Sequence, residues 1–101
     1  MSIREVAEGR QVQGEDEVIT YTITTTNWAS APTTPSMVVK DAAGTDVSTT
    51  VAGGAITAVG DVITLKTISK LVRDESYRVE VKFTAGSGAP WECYFWIDCE
   101  E

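Results

Sequence analysis

Two runs decide the fold: Tyr77-Arg78-Val79-Glu80-Val81-Lys82-Phe83-Thr84 and Trp91-Glu92-Cys93-Tyr94-Phe95-Trp96-Ile97-Asp98-Cys99-Glu100. Successive strand side chains point to opposite faces. In the first run Tyr77, Val79, Val81 and Phe83 therefore go one way, and Arg78, Glu80 and Lys82 the other. Ala85-Gly86-Ser87-Gly88-Ala89-Pro90 between them is rich in turn formers and ends on a residue that cannot donate to a ladder. The pair reads as one long β-hairpin, Tyr77 to Glu101. On its returning arm Trp91, Cys93, Phe95, Ile97 and Cys99 make the core-facing set. Tyr94 and Trp96 stand on the opposite face among Glu92, Asp98 and Glu100.

The remaining chain supplies partners for this hairpin. Val18 to Thr26 is dense in β-branched residues, with Ile19, Tyr21 and Ile23 inward and Thr20, Thr22 and Thr24 outward. Asn27 to Ser36 reads as a loop, because Pro32 and Pro35 exclude helix and central strand alike. Trp28 at its head is either a lid over one end of the core or an exposed recognition aromatic. Met37 to Asp41 is a short strand of unfixed parity; a turn at Ala42-Ala43-Gly44-Thr45 follows, and Asp46 to Val51 returns. Asp41 and Asp46 suit that turn, since their carboxylates bond nearby backbone N–H groups. Ile56 to Val59 and Val62 to Thr67 are strand pieces around Gly60-Asp61, with Ile63 and Leu65 inward. No window sustains helical apolar spacing.

Length and composition narrow the class of function. With 101 residues the chain makes one domain, spanning 1–101, and 43% hydrophobic content is enough for a single core. A net charge of −7 opposes binding to nucleic acid phosphates and to anionic membranes. No run reaches membrane-spanning length. There is no histidine, which removes Ser-His and Cys-His pairs and most zinc and copper sites. A lysine base at Lys40, Lys66, Lys70 or Lys82 is conceivable, but each occupies an ordinary strand or turn position. Cys93 and Cys99, roughly 20 Å apart on one extended strand, are too distant to bridge and are expected to be free thiols. Glu15-Asp16-Glu17 reads as a solvated turn; calcium ligation is the alternative and needs further oxygen ligands. Met1-Ser2-Ile3-Arg4-Glu5 lacks the apolar region of a signal peptide, so a protein that starts there would be expected to stay in the reducing bacterial cytoplasm.

Short strands divided by Gly, Pro and Asp turns point to an all-β antiparallel sandwich or barrel. Leu71-Val72-Arg73-Asp74-Glu75-Ser76-Tyr77 sharpens this, for a leucine six residues before a strand-opening tyrosine is the pattern of a tyrosine corner. It resembles the sixth strand of fibronectin type III and related immunoglobulin-like modules. Ile68 and Leu71 would then plug the sandwich end beneath Tyr77. The expected strands, about seven as in such domains, are A (about 3–12), B (18–26), C (37–41), C′ (45–51), E (55–67, kinked at Gly60), F (77–84) and G (91–100).

A wider resemblance runs through Gly14-Glu15, Asn27-Trp28, Pro32-Thr33-Thr34-Pro35, Asp41 to Val47, Gly60-Asp61-Val62-Ile63-Thr64-Leu65 and Leu71 to Tyr77. In order and spacing these are similar to small single-domain immunoglobulin-like proteins of tailed-phage and prophage structural gene clusters. The resemblance implies a virion or assembly component, with no catalytic residue and no cofactor to transfer. Its expected partners are copies of itself or other virion proteins. The candidate interaction residues are Tyr94, Trp96 and Trp28; the alternative for Tyr94 and Trp96 is that they cover their own sheet, stacking over the stems of Arg78 and Lys82. An adhesion or carbohydrate-binding module is the alternative.

Overall fold

In the computed structural model, residues 3–5, 11–25 and 31–100 are described, with side chains from residue 11 onward. The expected closing hairpin is present. β8 (Ser76–Thr84) pairs antiparallel with β9 (Pro90–Glu100) in an unbroken register, Tyr77 opposite Ile97, Val79 opposite Phe95 and Val81 opposite Cys93. All six of those residues are buried, as are Phe83 and Cys99. Trp91 is half-buried and packs on the edge of the same core.

The hairpin is the centre of a five-stranded sheet in which β1 (Ile3–Glu5) and β2 (Gln11–Gly14) lie along β9, and β4 (Thr33–Lys40) lies along β8. Both N-terminal strands run parallel to β9; the other pairings are antiparallel. Facing this sheet is a four-stranded one: β3 (Ile19–Thr24), β7 (Val62–Ile68), then β5 (Ala52–Gly53) and β6 (Thr57–Val59) sharing the far side of β7. Ile23, Ile63, Leu65 and Ile68 from the second sheet close the core against Met37, Val39, Val79, Val81, Phe95 and Ile97 from the first. The protein is thus a two-sheet, all-β sandwich. With β3, β7 and β5 as one sheet and β4, β8 and β9 in the other, its strand order is that of immunoglobulin-like sandwiches.

The tyrosine corner has the anticipated geometry. Tyr77 is buried, Ile68 and Leu71 are buried beside it, and its hydroxyl accepts a 2.9 Å hydrogen bond from the Val72 N–H. The parity of β3 also holds, with Ile23 buried, Ile19 and Tyr21 half-buried, and Thr20, Thr22 and Thr24 exposed.

Three local expectations are corrected. The fourth strand starts at Thr33, inside the stretch assigned to a loop, and carries Pro35. Proline is tolerated because β4 is the edge of its sheet and its register shifts between Thr33 and Ser36, with Thr34 at φ +49°. Parity then resolves: Met37 and Val39 are buried, whereas Val38 looks outward.

Asp46 to Val51 is not the strand expected as C′. Asp46 makes one bridge to Lys40, and α1 (Ser48–Val51) is a single helical turn. Asp46 Oδ1 accepts from both the Ser48 N–H (2.9 Å) and the Ser48 hydroxyl (2.7 Å), holding the chain in a turn. The Val47 N–H donates to Val39 O at 2.8 Å and the Val39 N–H to Ser48 Oγ at 2.8 Å. One helical turn then brings Val47 and Val51 to the same side, where Val51 is buried and Val47 packs partly on the core. Finally, 55–67 is a hairpin of β6 and β7 rather than one kinked strand. Gly60, at φ +59°, takes the left-handed position that its turn requires.

One core feature has no counterpart among the expectations. Gln13 on β2 is fully buried, with every polar site used. Its amide nitrogen donates to Ile68 O (2.8 Å) and Glu17 O (3.0 Å), and its amide oxygen accepts from the Tyr21 hydroxyl (2.9 Å). The side chain therefore ties the edge of the five-stranded sheet to β3 and β7. Tyr21 also meets Phe95 with ring centroids 5.5 Å apart and planes tilted by 55°.

Candidate protein-interaction face

The outward face of β8 and β9 follows from the same alternation that builds the core. Each inward residue leaves its neighbour pointing away, so Arg78 lies opposite Trp96, Glu80 opposite Tyr94 and Lys82 opposite Glu92. β4 extends the face with Lys40 beside Arg78, Val38 beside Glu80 and Ser36 beside Lys82. Tyr94 and Trp96 are both half-buried. The sequence thus anticipated which residues share this face.

Charge organises the face around its aromatics. The Arg78 guanidinium carbon lies 4.0 Å from the centre of the Tyr94 ring, a cation–π stack that also orders the arginine stem. Arg78 Nε is 3.2 Å from Glu80 Oε2, Lys40 Nζ is 3.6 Å from Glu80 Oε1, and Lys82 Nζ is 3.5 Å from Glu92 Oε1. At one end the Ser76 hydroxyl donates to Asp98 Oδ1 at 2.8 Å. Pairs this exposed contribute at most about 1 kcal/mol each, so their effect is to hold geometry more than to stabilise the fold. The outcome is a half-buried aromatic pair bordered by charges of both signs. Trp28, the third candidate, lies outside the described residues.

The other groups singled out in the sequence take structural roles. Asp41 Oδ1 accepts from the Ala43 N–H (3.0 Å) and the Thr45 N–H (2.9 Å), closing its own turn. Hydrogen bonds from Ser48 hold the Asp46 carboxyl below its usual range. Glu17 Oε1 accepts from the Gly14 N–H at 2.6 Å, so this acid fastens the β2–β3 turn. Among the described residues no group of three or more His, Cys, Asp or Glu is placed to hold a metal ion. Cys93 and Cys99 are buried thiols, neither in a disulfide, and burial pushes the Cys99 thiol up, helped by the Glu15 and Asp74 carboxylates. Tyr21 is pushed up to about 12, first by burial and then by Glu17. No helix among the described residues is long and apolar enough to cross a membrane.

Searches against protein-family models, curated proteins and solved structures match nothing.

Proposed function

We propose that this domain is a non-enzymatic assembly module working through protein contacts on the outer face of β8 and β9, with Trp96 and Tyr94 at its centre. The setting we propose comes from the sequence resemblance: a structural or assembly component of a phage or prophage particle, made in the bacterial cytoplasm. Its partners are further copies of itself or other virion proteins. The observation that carries the reading is the Arg78–Tyr94 stack at 4.0 Å. It pre-orders two side chains that are enriched at binding hot spots, which lowers the entropy lost on docking. It also favours a protein partner over a sugar, because the guanidinium already occupies a ring face on which a pyranose would stack.

The test is light scattering on the purified chain and on Trp96→Ala. Trp96→Ala lowers the mass of the assembled species while the far-ultraviolet dichroism stays the same. An unchanged mass refutes self-association through this face. Quenching of tryptophan fluorescence by members of a glycan panel would favour the carbohydrate alternative. The setting is tested by gene neighbourhood: capsid, portal or tail genes on either side would support it, and their absence would count against it.

A further inference from the structure

The four-stranded sheet ends on β3, and among the described residues β3 differs from the edge strands β4, β5 and β6. Among the described residues, its only strand partner is β7. The Thr25 N–H donates to Asp61 O at 2.7 Å, on the β7 side. Backbone groups alternate in direction along a strand, so Ile23, Tyr21 and Ile19 also face β7. Thr20, Thr22 and Thr24 therefore direct their N–H and C=O groups to the open edge, while their side chains stand exposed on the outer face.

Natural sheets usually blunt such an edge with charge, proline, a bulge or a covering segment. β4 shows these devices: Pro35 lacks an N–H, and the Val39 backbone is closed off by Val47 and Ser48. β5 and β6 are two and three residues long. β3 has six residues, and no charge, proline or glycine occurs from Val18 to Thr25. Its one irregularity, between Thr20 and Thr22, lies in the ladder with β7.

We propose that β3 is a self-association edge, pairing antiparallel with β3 of a second copy about a two-fold axis at Thr22. Thr22 then faces Thr22 of the partner subunit, and Thr20 faces the partner's Thr24. Each of these pairs exchanges two backbone hydrogen bonds. The outer face carries threonine opposite threonine, continuing the row in which Thr20 and Thr67 already share a 2.8 Å hydrogen bond. On the inner side Tyr21 faces the partner's Ile23, an aromatic and β-branched pair.

Charge sets the direction and the register of the pairing. Two chains of net charge −7 repel over most of their surface, and β3 is an uncharged line on it. Antiparallel pairing sends the Glu15-Asp16-Glu17 clusters to opposite ends, roughly 40 Å apart at the strand rise per residue. Parallel pairing would set them side by side. Moving the axis to Thr20 would bring Asp16 against the edge, so the Thr22 register is the one that uses all three threonines without a charge. This edge lies on the sheet opposite Tyr94 and Trp96 and does not depend on the assembly role proposed for them.

The test is cysteine cross-linking of the intact chain together with its mass. Paired Cα atoms in a hydrogen-bonded position are ~5.5 Å apart, within disulfide reach. Thr22→Cys gives a disulfide-linked dimer under mild oxidation. Thr24→Cys, two positions off the axis, does not. Thr22→Lys sets two like charges face to face and weakens the dimer by about tenfold or more, with dichroism unchanged. Trp96→Ala leaves the Thr22→Cys cross-link intact. The inference is overturned if Thr22→Cys and Thr24→Cys link equally, if neither links, or if Thr22→Lys leaves the mass unaltered. A dimer abolished by Trp96→Ala but indifferent to Thr22→Lys would support the β8–β9 face and refute the β3 edge.

Discussion

Replacing Gln13 by Leu removes the polar clamp between the sheets while keeping the side-chain volume similar. Three hydrogen bonds go with it: to Ile68 O, to Glu17 O and from the Tyr21 hydroxyl. The Ile68 carbonyl loses a buried partner, which costs about 1–3 kcal/mol. The Glu17 carbonyl and the Tyr21 hydroxyl are only part-buried and recover some bonding from water, so they add about 1 kcal/mol together. Burying leucine in place of an amide returns about 1 kcal/mol. The balance is a loss of about 2 kcal/mol, or a fall in Tm of about 8–16 °C for a domain of this size. Urea melts followed by dichroism measure it, with the m-value showing whether the unfolding stays two-state. A cycle with Tyr21→Phe separates the clamp from generic core damage. Tyr21→Phe is expected to cost less in the Gln13→Leu background than in the original, by about 0.5–1 kcal/mol. A Gln13→Leu protein as stable as the parent, or a coupling of zero, refutes the clamp.

Tyr77→Phe keeps the buried ring but leaves the Val72 N–H without its 2.9 Å acceptor; a loss of about 1 kcal/mol in the same melts is expected. Tyr21 has a folded pKa of about 12 against an ordinary 10.0, so the stability linked to its proton is complete below pH 10 and lost as pH climbs toward 12. Tyr21→Phe should flatten that part of the stability profile, and an unaltered alkaline slope would contradict the assignment. Cys93 and Cys99 are 0% and 2% exposed, so a thiol reagent such as dithionitrobenzoate labels neither in the native protein and both in urea; rapid native labelling would show an open core.

Legibility in the sequence tracked the length and contrast of each pattern. β8 and β9 alternate apolar with charged or large polar-tipped residues over nine and eleven positions, and no other periodicity fits them. The tyrosine corner was readable because one side chain supplies both a buried ring and a local acceptor. Placement of Tyr94 and Trp96 on one face followed from parity alone, whereas the stacking of Arg78 on Tyr94, diagonal to it, depends on side-chain geometry. Pro35 misled because proline bars a central strand, whereas β4 is an edge with a bulge. The helical turn at Ser48–Val51 is too short to show a period; its signal was Asp46 two residues before Ser48, a local hydrogen bond rather than a pattern. Gln13 sits in a four-residue strand bounded by a glycine, where a polar residue gives no sign of burial. The parallel pairing of β1 and β2 with β9 depends on contacts more than 80 residues apart in the chain, as Gln13 against Cys99 shows. That β3 has β7 as its one strand partner among the described residues was equally hidden, since it depends on where the N-terminal strands go.

The whole arrangement turns on β8 and β9 being interior strands, bonded on both edges and buried on one face. Residue-resolved amide hydrogen exchange tests this most directly. The slowest amides are expected at Val79, Val81, Cys93 and Phe95, exchanging only through global unfolding. Rapid exchange at those four positions, with protection concentrated elsewhere, would contradict the sandwich and the surfaces derived from it.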